Sequence, residues 1–85
     1  ELDKAESHHQ QALDIDRELG YRLGEAQDLG NLGLVFMDKG DLDQALEHFR
    51  AALSLFRAVG AQQEIAMMEG AIAEVESQMK GKEIV

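Results

Sequence analysis

Apolar residues return in steps of three and four along most of the chain. In the third stretch they are Leu42, Ala45, Leu46, Phe49, Ala52, Leu53 and Phe56, offsets 0, 3, 4, 7, 10, 11 and 14. Such a series lies along one face of an α-helix. The second stretch gives Leu29, Leu32, Gly33 and Phe36, and the fourth gives Ile65, Met68, Ile72, Val75 and Met79. No stretch alternates with period two, so the pattern predicts helices and no strands. Gly20, Gly40 and Gly60 fall at equal intervals, each just past a helical stretch. Glycine takes the left-handed conformation that ends a helix without a Cβ penalty. The chain therefore divides into four helical segments of about twenty residues, some five turns each. It contains no proline to interrupt them. Asp41 is placed to N-cap the third segment, and Gln44 three residues on completes a capping box.

Equal spacing calls for a search for internal repeats. Sliding the chain by forty pairs residues 1–20 with 41–60, and eight of the twenty positions are identical: Leu2/Leu42, Asp3/Asp43, Ala5/Ala45, His8/His48, Ala12/Ala52, Leu13/Leu53, Arg17/Arg57 and Gly20/Gly60. Residues 21–40 keep register with 61–80 through Ala26/Ala66, Gly30/Gly70 and Val35/Val75. Two helix types therefore alternate.

The run from Leu29 to Leu55, LGNLGLVFMDKGDLDQALEHFRAALSL, resembles the tetratricopeptide repeat (TPR). Leu29, Leu32, Gly33 and Phe36 match its first helix; after the Gly40-Asp41 turn, Ala45, Phe49, Ala52 and Leu53 match its second. Gly33, Ala45 and Ala52 are small where the two helices must approach closely. The resemblance is specific over 27–57, good over 1–20 and weak over 61–80. Its forty-residue period is longer than the common repeat and similar to kinesin light chain repeats, and Arg57 stands where many repeats place proline. The resemblance implies an all-α solenoid of antiparallel helix-turn-helix repeats. Residues 1–20 would be the second helix of one repeat, 21–60 a complete repeat, 61–80 a following or capping helix, and 81–85 a tail.

Composition narrows the chemistry. Seventeen acidic residues against eight basic ones give a net charge of −9. That balance disfavours nucleic acid, whose phosphates need a lysine and arginine surplus. The chain has no cysteine, which removes disulfides, thiol catalysis and zinc-thiolate sites, and fits a reducing, cytoplasmic setting. No apolar run approaches a membrane span, and no signal-peptide pattern opens the chain. Its first residue is Glu1 and helix begins at once, as expected of a piece cut from a longer chain or a processed product.

The resemblance also directs the search for function, because the first helix of each such repeat lines a concave surface. On segment two that face carries Gln27, Gly30, Asn31, Leu34, Met37 and Asp38. An asparagine there can donate to and accept from an extended peptide backbone. The alternative is a solvated polar residue in mid-helix. The equivalent face of segment four carries Met67, Gly70, Ala71, Glu74, Ser77 and Gln78. The expected site is therefore Gln27, Asn31, Leu34, Met37 and Asp38, facing Met67 and Glu74, and taking a protein or peptide without catalysis or cofactor. With Asp38 and Glu74 acidic and no cation on the face, a neutral or basic ligand is favoured and a carboxylate clamp is not. Met67, Met68 and Met79 could form an adaptable binding surface, and at this spacing are assigned instead to core filling. Glu69 and Glu76 replace the apolar Leu29 and Phe36, which suggests a helix without a further neighbour on that side.

Segment one breaks the stripe. Glu6, His9 and Asp16 stand where segment three has Leu46, Phe49 and Phe56. This predicts a face that is partly exposed or contacts something polar, with Glu6 and His9 placed to pair across one turn either as a pH-sensitive contact or as an ordinary edge. Two rival functions follow: self-association as a homodimer through segment one, and a small helical-bundle metal protein. The second rests on Glu6-x-x-His9 alone, where carboxylate di-iron bundles need two such motifs. Ser7, Ser54 and Ser77 have no neighbouring base in the sequence, Gly30-x-x-Gly33 follows no strand, and Lys80 and Lys82 are too few for a basic patch.

Overall fold

A computed structural model describes residues 1–83 as four helices: α1 (Leu2–Leu19), α2 (Arg22–Asp38), α3 (Leu42–Val59) and α4 (Gln62–Glu83). No strand occurs among the described residues. The fourth helix continues to Glu83, past the expected end at 80. Of the tail expected at 81–85, residues 84–85 lie outside the described residues.

All three turns close in the same way. At the first, the Gly20 N–H donates to the Arg17 carbonyl and the Tyr21 N–H to the Asp16 carbonyl, at 3.2 and 2.9 Å. Gly40 with Asp41, and Gly60 with Ala61, repeat this pair of bonds. This is the Schellman closure, which requires a left-handed residue; the glycines supply it at φ of 69°, 81° and 72°. Asp41 caps α3 by accepting from the Gln44 N–H at 3.2 Å.

Successive helices pack in pairs, α1 on α2, α2 on α3 and α3 on α4, within an open slab of 45 × 29 × 15 Å. The core runs along the slab through Leu13, Leu32, Phe49, Phe56, Met68 and Val75. Where α2 crosses α3, bare backbone at Gly33 receives the Phe49 ring, and Ala45 and Ala52 flank that ring on its own helix, all with no exposed surface. Small residues at this crossing are thus a packing requirement. Met68 is buried and Met79 packs half-buried against the core, as core filling requires, but Met67, assigned to the core with them, stays 64% exposed because it faces away from α3.

Charges stitch the helices at their margins. Arg57 and Arg50 of α3 reach Glu69 and Glu76 of α4, each at 3.2 Å. Glu69 and Glu76, which stand in the places of Leu29 and Phe36, are each met by an arginine of α3. Exposed pairs of this kind contribute about 0–1 kcal/mol each, so they set register more than stability. At the other end Lys39 reaches Asp3 and Glu6 of α1 at 2.6 and 2.7 Å. Glu6 therefore pairs with a residue of the second turn and not with His9, as its own helix suggested.

α2 is the buried middle of the array, with nine buried positions against one, Leu13, in α1. Glu25 is among the nine. Its carboxylate accepts from Arg17 of α1 at 3.2 Å and from Arg22 one turn away at 3.1 Å.

A groove between the second and fourth helices

α2 and α4 run in the same direction with α3 packed behind them. Between them lies a groove of about 350 Å³. One wall is the edge of α2 carrying Gln27, Asn31 and Leu34; the other is the start of α4, with Glu64 and Met67. The floor is apolar, made by Phe56 and Met68. Gly30 lies beside Met68 there: a Cβ would stand 3.5 Å from the Met68 sulfur and 3.6 Å from its methyl carbon, in ordinary van der Waals contact. Both aliphatic lips are exposed, Leu34 by 45% and Met67 by 64%. An apolar floor with an amide pair on one rim suits a segment that buries one side chain and hydrogen-bonds its backbone.

Of the seven residues expected at the site, Gln27, Asn31, Leu34 and Met67 come together here. The other three do not. Met37 is half-buried and packs on the core. Asp38 lies at the far end of α2, beside Glu1, Leu2, Asp3 and Lys39. Glu74 sits seven residues beyond Met67, about 10 Å along α4, where Gln78 donates to it at 3.2 Å. The acid of the groove is therefore Glu64, and among the described residues no lysine or arginine lines it. Phe56, Glu64 and Met68 had not been read as site residues. Phe56 and Met68 carry only a core signal in the sequence. Glu64 becomes visible only once the stagger that sets the first turns of α4 beside the middle of α2 is known.

A family model described as tetratricopeptide repeat matches residues 1–58. The chain belongs to the tetratricopeptide repeat family. Tetratricopeptide repeats generally mediate protein–protein interaction, and the module is in general non-catalytic. The match spans α1, α2 and nearly all of α3, and stops before α4, the segment whose resemblance is weakest. No curated protein and no solved structure matches the chain significantly. Among the described residues no helix is long and apolar enough to cross a membrane, and no three histidine or acidic side chains gather as metal ligands. Glu6, half of the one metal-like motif, is held by Lys39.

Proposed function

We propose that this tetratricopeptide chain binds an extended peptide or partner segment in the groove between α2 and α4, and performs no catalysis. The observation that carries the reading is the convergence of Gln27, Asn31, Leu34 and Met67 on one apolar floor. Leu34 and Met67 clamp an apolar side chain against Phe56 and Met68. Gln27 and Asn31 hold the backbone beside it, giving grip that does not depend on sequence. Glu64, in a chain of net charge −9, selects a neutral or basic segment over an acidic one. On this reading residues 21–60 act as one complete repeat, and α4 supplies the second wall.

Panning a random peptide library against the chain, with counter-selection on a Leu34→Asp/Met67→Asp variant, tests this. Both residues are well exposed, so the variant keeps its fold. Enriched peptides should pair an apolar residue with a lysine or arginine and lose affinity on Asn31→Ala. Peptides that bind the double variant as well as the wild type would sink the proposal.

A second reading is self-association through the end of α1. Ile15, Leu19 and Tyr21 are 55, 73 and 52% exposed within seven residues of chain. Sedimentation velocity across a concentration series decides it: a constant monomer disposes of the homodimer.

A further inference from the structure

Forty residues separate Asp16 from Phe56 and Asp28 from Met68, so the two pairs occupy equivalent places in successive helix contacts. Phe56 and Met68 are buried together in the core between α3 and α4, 2 and 8% exposed. Between α1 and α2 the same places hold two carboxyl groups. Asp28 is buried, only 8% exposed, and its Oδ2 has no hydrogen-bond partner. Asp16 is half-buried, and its carboxylate lies over bare backbone at Gly24, where a Cβ would come within 2.5 Å of the Asp16 Oδ2. Two ionised carboxylates in a packing position repel each other and lose hydration. One proton shared between them removes the repulsion, leaves one charge where there were two, and supplies the missing donor.

We propose that Asp16 and Asp28 form a proton-operated latch between α1 and α2, tightening the docking of α1 as the surroundings acidify. The latch is independent of the groove, which lies on the α4 side of α2. It acts on a sparsely anchored helix, since Leu13 is the one buried residue of α1. The neighbouring cations are committed elsewhere: Arg17 of α1 and Arg22 of α2 both hold Glu25. On the opposite flank of α2, α3 directs Arg50 and Arg57 to Glu76 and Glu69. Asp16 is thus the charged group that acts on Asp28. Burial first, then the hydrogen bond and the charge of Asp16, push the Asp28 carboxyl up from 3.8 to about 6. The folded value lies above the unfolded one, so the stabilisation is fully present below pH 3.8 and is lost as pH rises through about 6.

A group displaced by that amount makes the docked helix about tenfold more favoured at pH 5 than at pH 7. Hydrogen exchange of the full chain, corrected for intrinsic rates, reads this as protection of the α1 amides relative to those of α3. The wild type should lose about tenfold of that ratio between pH 5 and 7. In Asp28→Asn the amide donates to Asp16 permanently, so the ratio should stay high and flat. Carboxyl carbon NMR of the wild type provides a check that needs no variant: Asp28 should titrate far above the ordinary aspartate range. A flat wild-type ratio, a pH-dependent Asp28→Asn ratio, or an Asp28 carboxyl titrating near 4 would each overturn the latch.

Discussion

Replacing Gly33 by alanine probes the closest helix crossing in the array. The new Cβ would stand 2.6 Å from both Cδ1 and Cε1 of Phe49 and 3.1 Å from its Cγ. Carbon atoms pack best at about 3.5–4.0 Å, so the ring and the added methyl must part by roughly 1 Å. The ring has nowhere to go. Phe49 is fully buried, and Ala45 and Ala52, one turn to either side of it, are fully buried too. Overpacking of this kind costs about 1–3 kcal/mol. Against it stands the gain from alanine over glycine in a helix interior, about 1 kcal/mol. The net expectation is a loss of about 0–2 kcal/mol. Gly70 provides the internal standard, because a Cβ there meets nothing within 4 Å. Gly70→Ala should therefore keep the gain of up to about 1 kcal/mol. Gly30→Ala lies between, since its Cβ reaches Met68 at an ordinary 3.5 Å. Urea titration followed by far-ultraviolet circular dichroism separates the three, provided the slopes agree. The order from most to least stable should be Gly70→Ala, Gly30→Ala, Gly33→Ala. If Gly33→Ala matches Gly70→Ala, the two helices do not cross as closely as described and the packing argument fails.

Leu13→Ala removes the one buried side chain of α1 and should cost about 2–5 kcal/mol; loss of α1 amide protection ahead of α3 in hydrogen exchange would locate it. Asp41→Ala deletes the hydrogen bond to the Gln44 N–H and should cost about 1 kcal/mol in the same urea assay. An unchanged midpoint would show the cap to be idle. Hydrogen bonds from Lys39 to Asp3 and Glu6 push the lysine from 10.5 up to about 12. With the folded value above the unfolded one, its contribution is intact below pH 10.5 and disappears as pH rises through about 12. Lys39→Met should therefore flatten the alkaline limb of a stability–pH profile, and parallel limbs in the two proteins would remove Lys39 as a staple.

The array is legible in the sequence because local rules and packing agree there. Glycine every twenty residues ends three helices by one closure, and the apolar stripe of α3 is the stripe that packs. The site was only half legible. Gln27 and Asn31 follow from the exposed face of a single helix. Glu64 and Phe56 depend on how far α4 slides along α2, a distance set by side chains packed on α3. The same slide leaves Glu74 beyond the groove. Met37 and Asp38 fall outside the groove for a related reason, since a face chosen by angle alone does not say where along the helix the neighbouring wall stops.

The breaks in the repeat follow no pattern within their own helix, and their partners lie in the next element. Glu6 and Asp16 interrupt an apolar stripe, and taken within α1 alone they predict either an exposed edge or a contact with something polar, without saying which group supplies it. Glu6 is answered from the next element, by Lys39 in the turn after α2, and the proposed latch sets Asp16 against Asp28 within α2. Position 39 belongs to no helical stripe, so no pattern in α1 points to it. Position 28 does carry a signal, since its partner forty residues on is the buried Met68. A polar residue on the packing stripe of a repeat is therefore best read together with the equivalent pair in the next repeat. Where both members of an apolar pair have become acids, the contact has acquired a dependence on protons that its neighbour lacks.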